Sequence, residues 1–357
     1  MNLLLRIVTI PAALIHGLVL FIRHALFDTG ILRSAPGSVR TIVIGNLAAG
    51  GTGKTPHTEY VARILQRQGV AFGILSRGYR RTSRGFMELT VQTPAGESGD
   101  EPLQMKRKFP MVPVAVCADR REGILRLRAL HPALQLVLLD DAFQHRRLRP
   151  DCSILLTTLN RPYWKDHLLP WGYLRDLRKE KKRANCIVVS KCYDGLKSEA
   201  MKEVSKAVDP GPEQQVFFSK EILLDAVHHS GPIRDAASVT HWIGFAGIAS
   251  TTSFQKHLEE KYFIKKFIKF PDHHRFSEVN VTQLRNELST FAGLSAALVT
   301  TEKDAMRLGE VRGFKDVPIF YVPMKVEIMD GQERFEQLVL SVATTDHPGK
   351  KDELNKD

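Results

Sequence analysis

The chain has 357 residues, of which 43% are hydrophobic and 25% charged, so it is long enough to bury a large core and to form more than one domain. Its four cysteines have no Cys-x-x-Cys spacing, so neither a zinc site nor a disulfide framework is indicated, and a reducing cytosolic environment fits best. The formal charge of +12 favours an anionic partner, either nucleic acid, lipid head groups or a phosphorylated substrate.

The N-terminus, residues 1–30, carries an apolar segment. Residues 7–22 are almost wholly apolar and lie between Arg6 and Arg23. As a helix this run reaches only about 24 Å, short of the roughly 30 Å hydrocarbon core of a bilayer, so we expect it to dip into a membrane rather than cross it. A small-residue cleavage site, which a signal peptide needs, does not follow it. A helix packed on the protein's own core is the alternative.

Residues 31–209 alternate short apolar strands with helices. The first strand, Arg40–Gly45, leads into a glycine-rich loop and a helix over about 56–68 that ends at Gly69. Further strands are predicted at 70–75, 111–117, 134–139, 152–156 and 186–190, with a helix over 121–129. This alternation predicts an α/β fold, with a mostly parallel sheet covered by helices on both faces.

The chain beyond residue 209 is predicted to form a second, smaller α/β domain over residues 210–343. A Pro-Gly-Pro stretch over 210–212 is typical of a linker, and apolar strands resume at 216–218, 241–245 and 296–299. The last residues, 344–357, are polar and charged, and we expect them to be disordered.

A phosphate-binding loop lies between the first strand and its helix, which is the context that a Walker A motif requires. Its glycines allow backbone N–H groups to converge on phosphate oxygens at a helix N-terminus. Lys54 would reach the β- and γ-phosphates of ATP, and the Thr55 hydroxyl would bind Mg²⁺. The motif has alanine where its first glycine is usual. The loop residues are Ala48, Ala49, Gly50, Gly51, Thr52, Gly53, Lys54 and Thr55.

Two carboxylates, Asp140 and Asp141, follow the apolar strand 134–139. Open α/β sheets bind ligands at the carboxyl ends of their strands, so this pair is a candidate Walker B site for Mg²⁺. Which of the two contacts the metal stays open. Capping of the following helix is the structural alternative.

Two further segments combine acidic residues or histidine with turn residues. These are Ser98-Gly-Asp-Glu-Pro102 and Phe270-Pro-Asp-His-His274. A phosphoryl acceptor needs a positioned base, and a carboxylate paired with a histidine from another segment is one way to provide it.

Taken in order, these motifs resemble the tetraacyldisaccharide 4′-kinases, or lipid A 4′-kinases, over nearly the whole chain to about residue 325. The resemblance implies transfer of the ATP γ-phosphate to the 4′-hydroxyl of a tetraacylated glucosamine disaccharide 1-phosphate at the cytoplasmic face of the bacterial inner membrane. Separately, we expect the protein to be monomeric. The matching motifs are Gly45-Asn-Leu47, Gly50-Gly-Thr-Gly-Lys-Thr-Pro56, Ser76-Arg-Gly-Tyr79, Gly99-Asp-Glu-Pro102, Asp140-Asp-Ala-Phe-Gln-His145, Leu169-Pro-Trp-Gly172, Leu174-Arg-Asp176, Asp272-His273 and Thr301-Glu-Lys-Asp304.

The resemblance also implies site residues. Asp100 corresponds to the catalytic base and His273 to its partner, whereas the metal and phosphate region would be served by Asp140, Asp141 and Asp176. Substrate or phosphate contacts are implied for Arg77, Tyr79, Gln144, His145 and Arg175. Two positions depart from the family pattern, since Asp176 stands where glutamate is usual and Ala142 where glycine is usual. The role of Thr301–Asp304 does not follow from the resemblance, and a helix N-cap at Thr301 is the structural alternative.

Two other classes of protein compete with a lipid kinase. A membrane-associated partitioning ATPase has a similar glycine-rich loop, but its signature lysine would stand at Ala49. A nucleic-acid-binding ATPase is suggested only by charge, because no aromatic stacking residues are interleaved with the basic runs. We therefore expect no nucleic-acid partner.

Overall fold

The computed structural model describes residues 3–272, 274–308 and 311–344, with side chains from residue 9 onward. Its α-helices are α1 (Leu3–Asp28), α2 (Lys54–Arg67), α3 (Ala95–Ser98), α4 (Asp100–Lys108), α5 (Arg120–Leu130), α6 (Ser198–Val208), α7 (Thr252–Lys261), α8 (Glu278–Ser289), α9 (Glu302–Leu308) and α10 (Gln332–Thr344). Its strands are β1 (Ala35–Pro36), β2 (Arg40–Asn46), β3 (Phe72–Ser76), β4 (Met87–Glu88), β5 (Val114–Val116), β6 (Leu136–Asp140), β7 (Leu148–Arg149), β8 (Cys152–Thr158), β9 (Cys186–Ser190), β10 (Gln215–Leu223), β11 (Val227–Ser230), β12 (His241–Ala246), β13 (Ile264–Lys269), β14 (Ala296–Thr301), β15 (Ile319–Val322) and β16 (Met324–Ile328).

The first sheet holds the phosphate-binding loop. Among the described residues it has nine strands, in the order β16-β10-β9-β8-β2-β6-β3-β5-β4. All neighbours pair in parallel except at the two edges, where β16 and β4 are antiparallel. Strands β6, β8 and β9 are buried along their whole length, which is why their sequences are apolar throughout. Helices cover both faces, with α2, α4 and α10 on one and α5 and α6 on the other. The predicted α/β fold is confirmed.

A second sheet lies in the C-terminal half of the chain, and it does not begin at the predicted boundary of residue 210. Its strand order is β11-β15-β14-β12-β13. Strand β10, which follows the Pro-Gly-Pro stretch, instead pairs with β9 in the first sheet, and β16 returns to pair with β10. Helix α10 also packs on the first sheet, where the Phe335 ring lies 5.2 Å from that of Phe217. The Pro-Gly-Pro stretch is therefore a loop within the first unit, and the second unit lies between β10 and β16.

Helix α1 is 26 residues long, about 39 Å at 1.5 Å per residue, so it extends well beyond the apolar run that the sequence outlines. Its segment Thr9–Asp28 is, in the described part of the chain, long and apolar enough to cross a membrane by length and composition. One face packs on the protein through Ala13, Leu20, His24 and Phe27, and the other exposes Leu14, Ile15, Leu18, Val19, Phe21 and Ile22. The predicted tail lies outside the described residues, except for Thr344.

Candidate active site

The phosphate-binding loop connects β2 to α2. Its backbone has positive φ at Gly50 (104°) and Gly53 (85°), conformations that glycine adopts without strain. The side-chain amide of Asn46 donates to Thr52 Oγ1 at 2.7 Å, and the N–H of Ala49 donates to the carbonyl of Tyr173 at 2.7 Å. The loop is therefore held at both ends before α2 begins at Lys54, as a Walker A loop requires.

His57, in the first turn of α2, supports the loop from beneath. Its ring lies 2.7 Å from the Gly53 carbonyl oxygen and 2.8 Å from Ser219 Oγ on β10. Burial lowers the pKa of His57 to about 4, so the ring is neutral at pH 7. The motif gave no sign of this contact, because Ser219 lies far away in the sequence.

Asp141 is the carboxylate that faces the loop lysine. Lys54 Nζ lies 3.6 Å from Asp141 Oδ2. The guanidinium of Arg175 donates to both oxygens of Asp141 and to Asn46 Oδ1, the last at 2.5 Å. Burial raises the pKa of Asp141, but the charges of Lys54 and Arg175 outweigh it and hold this pKa below its usual value. Asp141 thus organises the two cations beside the loop.

Asp140, at the end of β6, has a different environment. Its side chain is buried and accepts a hydrogen bond from Thr58 Oγ1 on α2 at 3.1 Å. Burial and the nearby charges of Glu101 and Asp141 raise the pKa of Asp140 to about 7. The charge of Lys54 acts on Asp140 as well, but among the described contacts Asp140 has no ion pair as short as those of Asp141.

The oxygen donors beside the phosphate-binding loop suit Mg²⁺ that is bound jointly by protein, phosphate and water, rather than a metal ion held by protein side chains alone. The described residues contain no group of three or more His, Cys, Asp or Glu side chains that could hold a metal ion. Magnesium is usually bound by one or two carboxylates together with phosphate oxygens and water. Asp140 and the Thr55 hydroxyl, which lies one helical turn before Thr58, meet that description.

Arg120, the first residue of α5, supports the acidic pair from the protein side. Its side chain is 2% exposed. The guanidinium donates to the carbonyls of Cys117 at 2.8 Å and Asp141 at 3.3 Å, and also contacts those of Ala118 and Asp140. Burial lowers the pKa of Arg120 to about 10, so it remains cationic at pH 7. It stabilises the backbone that carries both carboxylates.

The predicted base, Asp100, begins α4. Arg307 on α9 donates to Asp100 Oδ2 from Nε at 2.9 Å and from Nη2 at 2.7 Å. The neighbouring Glu101 is close enough to raise the pKa of Asp140, so the start of α4 lies near the acidic pair. His273, the predicted partner of Asp100, lies outside the described residues, and this pairing stays a prediction.

Of the five predicted substrate residues, Arg175 contacts Asp141, and the other four fall into two groups. Gln144 donates to the Asn46 carbonyl at 2.8 Å, and His145 Nε2 lies 3.8 Å from Asp119, so both lie near the phosphate-binding loop and the start of α5. They line a cavity of about 430 Å³ with Arg23, Phe27, Leu32, Ala118, Asp119, Arg146 and Arg147. Arg77 and Tyr79 are exposed on the loop after β3, which passes close to Gly99, the residue before Asp100.

Asp176, predicted to serve the metal, faces the other way. Its carboxylate is fully buried, with His24 Nε2 of α1 2.6 Å from Oδ1 and Arg183 Nη2 3.4 Å from Oδ2. The N–H of Leu177 also donates to Oδ1, at 2.9 Å. In this structure the partners of Asp176 therefore hold its carboxylate against α1, and its metal role stays a prediction.

Comparison with known proteins identifies the family. The family model described as tetraacyldisaccharide-1-P 4′-kinase matches residues 5–344. The chain belongs to this kinase family. A tetraacyldisaccharide 4′-kinase from Bacteroides thetaiotaomicron is 38% identical, covering 92% of this chain and 91% of the relative. One from Flavobacterium psychrophilum is 36% identical, covering 94% of this chain and 96% of the relative.

A solved structure of a member of the kinase family has the same fold. A crystal structure of LpxK from Aquifex aeolicus, described as an "apo" form in complex with ATP, superposes with a TM-score of 0.73 at 27% identity. The match covers 93% of this chain and 98% of that one. Membership of the kinase family favours the lipid kinase over the partitioning ATPase.

One departure from the kinase family pattern has a simple structural account. Ala142 is buried, and the residue with positive φ is its neighbour Asp141, at 50°. Ala142 therefore has a backbone conformation that residues other than glycine can adopt, as expected for a position occupied by alanine.

Proposed function

We propose that this chain transfers the γ-phosphate of ATP to the 4′-hydroxyl of a tetraacylated glucosamine disaccharide 1-phosphate. The observation that carries the proposal is the position of Lys54 beside Asp141, at the edge where the phosphate-binding loop meets the end of β6. Combined with membership of the kinase family, this arrangement supports phosphoryl transfer rather than nucleotide binding alone.

In the proposed complex, the N–H groups of the loop and the Lys54 ammonium donate hydrogen bonds to the phosphates of ATP. Asp140 and Thr55 are the residues that would hold Mg²⁺, which when bound neutralises charge on the β- and γ-phosphates. Asp141 keeps Lys54 and Arg175 beside the phosphates. This division of roles between the two carboxylates follows from their different partners, since Asp140 has no cation as close as those of Asp141 among the contacts described.

Asp100 is the group that we assign as base. A bond forms between the 4′-oxygen and the γ-phosphorus while the bond from that phosphorus to the β–γ bridging oxygen breaks. The hydroxyl proton passes to the Asp100 carboxylate and then to solvent. Its place at the start of α4, next to Glu101 and hence close to Asp140, supports this role. His273 would orient or stabilise the protonated form.

In this proposal the lipid substrate enters the site along α1. An open, mostly apolar groove of about 530 Å³ lies between α1 and the loops around Leu168 and Leu177, and it is suited to acyl chains. The adjacent cavity near Gln144 is rich in arginine and suits the sugar phosphate. The exposed face of α1 would rest in the cytoplasmic leaflet of the inner membrane, where basic residues favour anionic lipid.

The test is direct phosphorylation. Purified protein is incubated in detergent with γ-labelled ATP, Mg²⁺ and the tetraacyl disaccharide 1-phosphate, beside the variants Lys54→Ala and Asp100→Ala. Lys256→Ala, at an exposed position on α7, is the matched control. We expect label in the lipid from the wild type and the control, and a loss of about 100-fold or more in the two site variants. A folded wild type that hydrolyses ATP but leaves the lipid unlabelled would contradict the proposal and favour a switch ATPase.

A further inference from the structure

The segment Thr301–Asp304 matches the kinase family, but the mechanism above gives it no role. In the structure, the Thr301 hydroxyl accepts from the N–H of Asp304 at 3.1 Å and donates to Asp304 Oδ2 at 2.7 Å. The N–H of Gly247, after β12, donates to the same carboxylate at 2.9 Å. Thr301 therefore caps α9, and the fully buried Asp304 is held in one orientation.

Asp304 in turn holds Arg307. Arg307 Nη1 donates to Asp304 Oδ1 at 2.9 Å and to the Gly247 carbonyl at 3.3 Å, and the side chain is 6% exposed. Its Nε and Nη2 both donate to Asp100 Oδ2. Arg307 thus lies between a carboxylate of its own unit and the proposed base, which belongs to the first unit.

Two further ion pairs join α9 to the same region. Lys303 Nζ lies 3.3 Å from Glu101 Oε1 on α4. Lys108, at the other end of α4, lies 2.6 Å from Glu302 and 2.5 Å from Glu59 on α2. The second unit therefore contacts both ends of α4 and, through Lys108, the helix that follows the phosphate-binding loop.

We propose that Arg307 is a positioning residue of the kinase reaction, which fixes the Asp100 carboxylate and is itself fixed by Asp304. Gly99, just before Asp100, has a φ of 86°, so the chain turns sharply there and the helix itself begins only at Asp100. Two N–H groups of one planar guanidinium converge on Asp100 Oδ2, and this fixes the position of that oxygen more closely than an ammonium would. Because Arg307 belongs to the second unit, its two hydrogen bonds to Asp100 form only when the two units are packed together. This inference rests on the proposed role of Asp100 as base.

The experiment compares Arg307→Gln with Arg107→Gln. Arg107 also reaches between the units, to the carbonyl of Met306 at 3.4 Å, but contacts neither Asp100 nor the nucleotide region in the interactions described. We expect Arg307→Gln to lower kcat for lipid phosphorylation by about 10- to 100-fold, with the KM values for ATP and lipid near those of the wild type. We expect Arg107→Gln to have a kcat close to that of the wild type. This difference in kcat should remain even if both variants lower the melting temperature by the same amount.

Arg307→Lys provides a second measurement, needed if Arg307→Gln does not fold. It keeps the charge but lacks the planar fork, so we expect a smaller loss of kcat, with the melting temperature unchanged. Equal loss of kcat in Arg307→Gln and Arg107→Gln, or full activity of Arg307→Lys, would overturn the positioning role. Either result, with Asp100→Ala still inactive, leaves the proposed function standing. Full activity of Asp100→Ala would instead remove the assignment of the base itself.

Discussion

His24 on α1 and Asp176, near the phosphate-binding loop, form a hydrogen-bonded pair with 2.6 Å between Nε2 and Oδ1, and both side chains are fully buried. The residue before Asp176 is Arg175, which contacts Asp141 and Asn46. The same short segment therefore holds the apolar helix on one side and the nucleotide site on the other. A movement of α1 would therefore be transmitted through Asp176 and Arg175 to the charged groups beside the phosphate-binding loop.

We expect His24→Ala to destabilise the protein by about 3 kcal/mol, because it removes a hydrogen bond to the buried Asp176 carboxylate and leaves a charged group less satisfied. His16→Ala is the matched control, since His16 lies on the same helix but bonds to a neutral group, the carbonyl of Leu169, at 3.0 Å. We expect His16→Ala to lower the free energy of unfolding by about 1 kcal/mol. Urea unfolding in detergent measures both. Equal losses in the two variants would show that the buried charge is not what sets the stability of this contact.

Much of the nucleotide site was predictable because its signals are local. The glycines of the loop, Lys54 and the pair Asp140–Asp141 all stand next to apolar strands, and burial on both faces of a parallel sheet requires such strands. Open α/β sheets bind ligands at the carboxyl ends of their strands, so residues that follow these strands were expected to lie together.

The contacts that cross the chain were not predictable in this way. His24 and Asp176 are 152 residues apart, and Arg307 and Asp100 are 207 apart, so nothing in either local pattern names the partner. Arg120 is buried only because four carbonyls converge on it. Strand pairing likewise decides whether a Pro-Gly-Pro stretch is a linker or a loop, and here the strand after it, β10, pairs within the first sheet.

The exposed face of α1 predicts membrane association. Ile15 and Val19 are 66% and 58% exposed and lie one turn apart. We expect the double variant Ile15→Asp, Val19→Asp to lose about 10-fold or more in binding to vesicles of phosphatidylethanolamine and phosphatidylglycerol, because two apolar side chains can no longer enter the bilayer. Flotation of the vesicles measures binding. Val279→Asp, at a 75% exposed apolar residue on α8, is the control and is to bind normally. Unchanged flotation of the double variant would contradict membrane contact through this face.

Arg175 predicts a strict requirement for a guanidinium. Its fork contacts both oxygens of Asp141 as well as Asn46, and a lysine could reach only part of this set. We expect Arg175→Lys to lower kcat for lipid phosphorylation by about 10-fold, which corresponds to about 1.4 kcal/mol of transition-state stabilisation. Arg126→Lys, whose pair with Glu122 is largely exposed, is to have wild-type kcat. Wild-type activity of Arg175→Lys would mean that charge alone is sufficient beside Asp141.

His229 on β11 predicts how the packing of the two units responds to acid. Burial, together with the positive charge of Arg107 on α4 and with His228, lowers the pKa of His229 to about 4. In the unfolded chain the pKa is about 6.5. Between these values the unfolded state binds a proton that the folded state does not, so the stability that the neutral ring provides is fully present above pH 6.5 and is lost as the pH falls toward 4.

At pH 5 this linkage amounts to about 2 kcal/mol. His229→Gln keeps a polar side chain but has no titratable ring, so we expect the wild type to lose about 2 kcal/mol more than the variant between pH 7.5 and pH 5. Urea unfolding at the two pH values measures the difference, and all other titrating groups are common to both proteins and cancel in it. Parallel pH dependence in the wild type and His229→Gln would show that the His229 ring is protonated in the folded protein as readily as in the unfolded chain, and that Arg107 does not oppose its charge.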